Sequence, residues 1–125
     1  MLKALIIDDD KLIRWSLKEI FTQDGHQVDE ACNEEEALNH ARATDYDVVF
    51  ADFELEDSDA AELLKSLRII RPKAAVIILS ALPSGQIESR LLGIEVFRIV
   101  GKPFEPEQIR SILRMVRDND TSLQT

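Results

Sequence analysis

Cysteine is almost absent from this chain, since Cys32 is the only one among its 125 residues. A single cysteine forms no internal disulfide and supplies no multi-cysteine zinc site. The sequence also lacks an apolar run near the roughly 20 residues of a membrane-spanning helix. It begins with strand-like residues, and no signal peptide is visible. These absences predict a protein of the reducing cytoplasm, with Cys32 as a small buried or half-buried filler residue.

The chain also has fewer basic than acidic residues. Fifteen lysine and arginine residues stand against 24 aspartate and glutamate residues, which gives a formal net charge of -9 and a pI near 4.7. Binding to nucleic acid relies on basic side chains that neutralise phosphates. The composition therefore argues against direct nucleic-acid binding and against attachment to an anionic membrane surface. A hydrophobic content of 45% in a chain of this length predicts one globular domain.

Apolar strand-like segments alternate with amphipathic helical segments along the whole chain. Strands are predicted at residues 5–7, 27–31, 47–52, 75–79 and 96–100. Helices are predicted after each strand: up to Asp24-Gly25, after an Asn33 cap, over 59–70, over 84–93, and from Pro106. This alternation predicts an α/β fold with a parallel sheet covered on both faces. Residues 1–118 form the predicted domain, and 119–125 a polar tail or the start of a linker to an output domain.

Polar residues that could take part in binding or catalysis follow four of the five predicted strands. Asp8 and Asp9 follow the first strand, Asp52 ends the third, Ser80 ends the fourth, and Lys102 comes after the fifth. In a doubly wound sheet of order 2-1-3-4-5, strands one and three are neighbours at the topological switch point. The three carboxylates are therefore expected to share one shallow pocket, with the serine and the lysine on its far rim.

The residue types in this pocket indicate phosphoryl chemistry. Three carboxylates that leave room for water molecules suit Mg²⁺ in octahedral coordination. A lysine supplies a fixed positive charge, and a serine hydroxyl can donate a hydrogen bond to an oxyanion. Together they can receive a phosphoryl group, which a suitably placed carboxylate can accept as an acyl phosphate.

These motifs resemble the receiver domain of bacterial two-component response regulators, over roughly residues 2–117. The resemblance implies the flavodoxin-like (βα)5 fold with strand order 2-1-3-4-5. It also implies that Asp8 and Asp9, together with the phosphoacceptor Asp52, bind Mg²⁺. The backbone carbonyl of Glu54 is the additional metal ligand that the family leads us to expect.

The resemblance extends to the residues that contact the phosphoryl group and to the expected partners. Ser80 matches the family's hydroxyl residue, and Lys102 with Pro103 matches its Lys-Pro pair. The implied donor is a sensor histidine kinase, and the implied output is an effector domain or a homodimer. Output is expected through the surface of the 84–93 helix, the fifth strand and the last helix. The family is a signalling domain rather than an enzyme, and residues 6–15 are similar to receivers of enhancer-binding transcriptional activators.

Two departures from the family pattern bear on the switching mechanism. Leu55-Glu56-Asp57 and Ala60 replace the family's usual Met-Pro-Gly and later glycine, which predicts a different turn after Asp52. Ile99 replaces the aromatic residue that commonly precedes the lysine by three positions. Phe97 is expected on the same face of the strand as Ile99, where it could substitute for that aromatic residue.

Two alternatives to the phosphoacceptor hypothesis remain at this point. The altered loop and Ile99 are consistent with a receiver that is not phosphorylated and acts as a docking or dimerisation module. The spacing of Asp8 and Asp10 is also consistent with a phosphohydrolase that uses Asp8 as its nucleophile. In the phosphoacceptor hypothesis Asp10 instead begins the first helix.

Overall fold

The structure is a computed structural model that describes residues 1–56 and 58–122, with side chains through Asp118. Asp57 and residues 123–125 of the predicted tail lie outside it. The elements in chain order are β1 (Lys3–Ile7), α1 (Lys11–Gln23), β2 (Gln27–Ala31), α2 (Glu34–Ala43), β3 (Val48–Asp52), α3 (Ala60–Ile70), β4 (Ala75–Ser80), α4 (Ser84–Arg90), β5 (Arg98–Gly101) and α5 (Pro106–Ser122).

The strands form one parallel sheet in the order β2-β1-β3-β4-β5, which confirms the predicted α/β topology. Ile7, the last residue of β1, is in register with Ala51 of β3. Asp8 and Asp52 are each the next residue along their strands, so they emerge side by side at the carboxyl edge of the sheet. β2 lies on one side of β1 and β3 on the other, so the connections leave β1 in opposite directions. This topological switch point leaves a crevice at the carboxyl edge of the sheet.

Alternating side chains of the central strands enter two separate hydrophobic layers. On β1, Leu5 and Ile7 face the layer covered by α2, α3 and α4, whereas Ala4 and Ile6 face the layer covered by α1 and α5. This two-residue period is what a strand buried on both faces requires. The rigid sheet that results fixes the strand ends from which the polar residues project.

Short polar side chains begin three of the helices. Asp10 caps α1 by accepting a hydrogen bond from the Leu12 amide at 2.9 Å, as predicted for a helix-start residue. Asn33 caps α2 through the Glu36 amide at 2.8 Å, also as predicted. Asp59 caps α3. Each cap satisfies backbone donors that have no partner within the helix.

Three predicted boundaries differ from those in the structure. β5 begins at Arg98 rather than at residue 96, and α4 ends at Arg90 rather than at residue 93. Gly93 has a φ of +81°, a left-handed conformation that is incompatible with a continuing helix. Helix α5 continues to Ser122, beyond the predicted domain boundary at residue 118, because polar residues can extend a helix without an apolar stripe.

The prediction that Phe97 and Ile99 share a face is wrong. Phe97 packs against the layer covered by α1 and α5, whereas Ile99 packs against the opposite layer. The chain bends at Phe97, just before β5 begins, and strand alternation does not extend across that bend. Phe97 therefore does not replace the family's aromatic residue at position 99.

Within residues 1–56 and 58–122, no helix is both long and apolar enough to cross a bilayer.

Candidate functional site

Three aspartates converge at the carboxyl edge of the sheet. Asp8, Asp9 and Asp52 each offer a carboxylate oxygen, and these oxygens all lie within 4.8 Å of one another. Asp8 is fully buried and Asp52 is 4% exposed, whereas Asp9 is exposed to solvent. The sheet register explains this convergence, because β1 and β3 are adjacent. The predicted shared pocket is therefore present.

Backbone amides hold all three carboxylates in position, and Asp52 Oδ1 accepts a hydrogen bond from the amide of Glu54 at 3.1 Å. Asp8 Oδ1 accepts a hydrogen bond from the amide of Asp10 at 2.9 Å. Asp9 Oδ2 accepts one from the amide of Glu56 at 3.2 Å, across the loop that follows β3. The Arg14 guanidinium, which the sequence analysis did not identify, donates to the Asp8 backbone carbonyl at 2.8 Å. Its position on the first turn of α1 is the only sequence signal for this contact.

Lys102 reaches into the centre of the acidic pocket rather than remaining on its far rim. Its Nζ lies 3.0 Å from Asp52 Oδ1 and 3.2 Å from Asp8 Oδ2. The backbone amide of Lys102 donates to the Ser80 carbonyl at 2.8 Å, and the following bond to Pro103 is cis. The lysine thus bridges two carboxylates that would otherwise repel one another at close range.

The pKa values of this group reflect burial and mutual interaction. Burial raises the pKa of the Asp52 carboxyl above its ordinary value, and repulsion from Asp8 adds to that rise, against the opposing effect of Lys102. Burial alone lowers the pKa of Lys102, but its hydrogen bonds and attraction to Asp52 and Asp8 together raise it. Even with Lys102 beside it, the pKa of Asp52 thus stays above its ordinary value, because burial disfavours the charged carboxylate.

Ser80 is buried at the end of β4, and its hydroxyl does not point freely into the pocket. Its Oγ donates to Glu54 Oε2 at 2.5 Å and accepts a hydrogen bond from the Leu82 amide at 2.9 Å. The other oxygen of Glu54, Oε1, accepts from the Ala81 amide at 3.0 Å. The family resemblance implied a role only for the backbone carbonyl of Glu54, and this side chain was not predicted to take part. Its spacing from Asp52 is the signal that could have identified it.

The loop after β3 is anchored at several points. Leu55 is 5% exposed and belongs to the hydrophobic layer covered by α2, α3 and α4. Ser58 donates to the Glu34 carboxylate at 2.6 Å, which ties the loop to the start of α2. Asp57, the third residue of the departure from the family pattern, lies outside the described residues. The apolar anchor and the polar contacts give this loop a defined path despite the unusual sequence.

Two residues considered in the sequence analysis do not join the pocket. The Asp10 carboxylate caps α1 and takes no part in the aspartate cluster. Ile99 is half-buried against the core layer. The site is thus composed of Asp8, Asp9, Asp52 and Lys102, with Ser80 held beside it by Glu54.

Comparison with known proteins places this site in a family. Residues 4–114 match the family described as "Response regulator receiver domain". The chain is 32% identical over 114 residues to sporulation initiation phosphotransferase F of Bacillus subtilis, covering 90% of each chain.

Two solved structures share the fold of this chain. A CheY-like receiver domain protein of Methanospirillum hungatei superposes with a TM-score of 0.88 over 98% of each chain, at 24% identity. A response regulator of Burkholderia pseudomallei, described with a phosphorylated aspartic acid, a calcium ion and citrate, superposes with a TM-score of 0.83 at 23% identity. That match covers 99% of this chain and 71% of the other. The family match over residues 4–114 and the 32% identical relative confirm the motif resemblance, and this chain belongs to the response regulator receiver domain family.

Proposed function

We propose that this receiver domain accepts a phosphoryl group on Asp52 from the phosphohistidine of a sensor histidine kinase. The observation that carries the proposal is the convergence of three aspartate oxygens within 4.8 Å of one another, with the Lys102 ammonium bridging two of the carboxylates. A phosphoryl group needs a nucleophile, a divalent cation and a fixed positive charge, and this pocket has residues suited to each role.

Asp8, Asp9 and Asp52 would hold Mg²⁺, with the backbone carbonyl of Glu54 as the additional ligand. The donor set suits the ion, because all four groups are hard oxygen ligands and the pocket carries excess negative charge. When bound, Mg²⁺ supplies a positive charge that stabilises the charge developing on the transferred phosphoryl oxygens. The calcium ion and phosphorylated aspartic acid named for the Burkholderia pseudomallei response regulator support this assignment.

In the proposed transfer, an oxygen of the ionised Asp52 carboxylate attacks phosphorus. The phosphorus–oxygen bond forms as the phosphorus–nitrogen bond of the phosphohistidine breaks, and the imidazole leaves with the bonding electron pair. Lys102 stabilises the negative phosphoryl oxygens, since it already lies within 3.2 Å of both buried carboxylates. Asp52 is the proposed nucleophile because it ends β3 and its Oδ1 lies 3.0 Å from the Lys102 ammonium.

The proposed output begins at Ser80, which would move toward the phosphoryl group. Such a movement would shift the loop after β4 and alter the surface of α4, β5 and α5. We propose that this surface contacts an effector domain or a second copy of the chain. The domain itself would bind neither nucleic acid, given its formal net charge of -9, nor a membrane, and it would act in the cytoplasm.

A phosphorylation assay tests the acceptor assignment. The protein is incubated with acetyl phosphate and Mg²⁺, and intact-mass spectrometry measures phosphoryl addition. We expect the wild type and Asp10→Asn to be phosphorylated, because Asp10 only caps α1. We expect Asp52→Asn to remain unmodified. Labile phosphoryl addition to Asp52→Asn would show that another residue is the acceptor.

A docking module that is never phosphorylated is the second candidate function. The half-buried Ile99 favours it, because a branched aliphatic side chain has no polar tip to alternate between buried and exposed positions. Beryllofluoride, which mimics the phosphoryl group, distinguishes the candidates when its effect on molecular size is measured by light scattering and small-angle scattering. A change in shape or oligomeric state favours the phosphoacceptor, and an unchanged protein favours the docking module.

A further inference from the structure

We propose that the Glu54 side chain is an internal competitor of the phosphoryl group. In the unphosphorylated domain its carboxylate accepts hydrogen bonds from the Ser80 hydroxyl and the Ala81 amide. A phosphoryl group on Asp52 would otherwise accept from these two donors. This inference rests on the proposed function and adds a residue that sets how readily the site accepts its group. It concerns the carboxylate of Glu54, as distinct from the backbone carbonyl already assigned to the metal.

The two contacts of the carboxylate are specific and short. Glu54 Oε2 accepts from Ser80 Oγ at 2.5 Å, and Oε1 accepts from the Ala81 amide at 3.0 Å. Both donors follow Leu79, which is in register with Asp52 on the adjacent strand. An anion therefore already lies at the end of β4, beside the proposed acceptor.

Neither donor can serve two acceptors strongly at once. A serine hydroxyl has one hydrogen, and at Ser80 that hydrogen points to Glu54 while the oxygen accepts from the Leu82 amide at 2.9 Å. The Ala81 amide likewise has one hydrogen. Donation to a phosphoryl group on Asp52 therefore requires the Glu54 carboxylate to leave.

Electrostatic repulsion favours movement of the Glu54 carboxylate away from a phosphorylated Asp52. A phosphoryl group adds a charge of about -1.5 to -2 near neutral pH, which repels a neighbouring carboxylate. Glu54 is exposed to solvent as a residue, so its side chain has an open direction in which to turn. Its own amide meanwhile donates to Asp52 Oδ1 at 3.1 Å and keeps the backbone in place.

The consequence is a reduced apparent affinity for phosphoryl groups. Only the fraction of molecules in which the carboxylate has turned away presents both donors, and the apparent dissociation constant rises by the inverse of that fraction. Glu54→Ala removes the competitor but retains the backbone carbonyl. We expect it to bind beryllofluoride about tenfold more tightly, a change of ~1.4 kcal/mol.

Isothermal titration calorimetry with beryllofluoride and Mg²⁺ measures this affinity for three variants. Glu54→Gln should be intermediate, because its single side-chain oxygen can accept from the two donors less well than a carboxylate. Glu105→Ala is the matched control, since it removes one negative charge from the loop after β5 and leaves both donors unaltered. It should bind with the affinity of the wild type.

The amide proton shift of Ala81 measures the contact itself by NMR, with no ligand needed. A hydrogen bond to a carboxylate moves this signal downfield, so Glu54→Ala should move it upfield in the free protein. After beryllofluoride and Mg²⁺ are added, the Ala81 signals of both proteins should converge. Convergence would show that the Ala81 amide donates to the Glu54 carboxylate in the free protein and to beryllofluoride in the complex.

The outcomes separate this inference from the proposed function. Equal or weaker beryllofluoride binding by Glu54→Ala, with normal binding by the wild type, would overturn the competitor role and leave the phosphoacceptor function standing. If neither protein binds beryllofluoride, the phosphoacceptor function is overturned, and the competitor role with it. Tighter binding by both Glu54→Ala and Glu105→Ala would also overturn it, because a general charge effect would then explain the gain.

Discussion

The two edges of the sheet treat charge in opposite ways. At the carboxyl edge, Asp8 and Asp52 are buried beside one another and share a single cation, Lys102. At the amino edge, Arg68 donates to backbone carbonyls, and Asp29 accepts from a hydroxyl and lies near Lys3. Of these two edges, the carboxyl edge holds the less balanced charge, as expected where a functional site is kept at some cost in stability.

Arg68 is the clearest example at the amino edge. Its guanidinium donates to the backbone carbonyls of Ala74 at 2.7 Å and Glu95 at 3.0 Å, and also to that of Pro72 at 3.2 Å. These contacts connect α3 to the segments that lead into β4 and β5. The planar guanidinium of Arg68 has five N–H donors, so it can bind several backbone carbonyls of irregular segments at once.

Tyr46 and Asp29 form a second contact of this kind. The Tyr46 hydroxyl donates to Asp29 Oδ2 at 2.6 Å, and Lys3 lies 3.9 Å from the same oxygen. The ring of Tyr46 is buried in the hydrophobic layer, while Asp29 lies on the edge strand β2. Asp29 thus has a hydroxyl donor and a cation of its own, whereas Asp8 and Asp52 share the single cation Lys102.

The largest effect is expected at Arg68. Arg68→Ala should lower the free energy of unfolding by about 2 kcal/mol, because it leaves several carbonyls without their charged donor. Urea denaturation measures the change. Lys65→Ala on the same helix is the control, since the exposed Lys65–Glu62 pair contributes little. Equal losses in the two variants would show that the contacts of Arg68 are not special.

Tyr46→Phe should lower the free energy of unfolding by about 1.5 kcal/mol, because the hydroxyl donates to a charged acceptor. Its effect should also depend on pH. Burial raises the pKa of Tyr46 well above its ordinary value of 10.0, and the bond to Asp29 adds to that rise.

The sign of this pH dependence follows because the pKa of the Tyr46 hydroxyl is higher in the folded protein than in the unfolded chain. The contribution of Tyr46 to stability is complete below pH 10 and falls as the pH rises further, since the unfolded chain then loses the proton first. Urea denaturation from pH 8 to 11 should show a steeper decline for wild type than for Tyr46→Phe. Parallel declines would contradict the pairing.

At the carboxyl edge the sign of the mutational effect should reverse. Asp52→Asn should raise the free energy of unfolding by roughly 1 kcal/mol without Mg²⁺, because it leaves Lys102 and Asp8 as a balanced pair. Mg²⁺ should raise the melting temperature of the wild type more than that of Asp52→Asn. A destabilised Asp52→Asn would show that the pocket is already balanced.

The smallest effect is expected at Asp10, which lies next to the pocket but serves α1. Asp10→Asn should change the free energy of unfolding by only a few tenths of a kcal/mol, since asparagine caps helices about as well as aspartate. Its Mg²⁺ affinity by calorimetry should match that of the wild type. A clear loss of Mg²⁺ binding would place Asp10 in the metal site and revive the phosphohydrolase alternative.

Much of the fold could be predicted because its signals are local. The apolar runs that end at Ile7, just before Asp52, and at Leu79 are typical of strands buried on both faces. The Asp10 and Asn33 caps are short-range hydrogen bonds. Boundaries such as the start of β5 were less accurate. A bend at Phe97 depends on packing against other elements rather than on the residues within the segment.

The sequence by itself determined which polar residues stand at the strand ends, because strand alternation and the βα order depend on neighbouring residues alone. Only the tertiary structure decided how their side chains meet. It brought Lys102 to the centre of the pocket and directed the Glu54 carboxylate to Ser80 and Ala81. These contacts join residues 26 to 94 positions apart in sequence, and their geometry depends on the packing of the whole sheet.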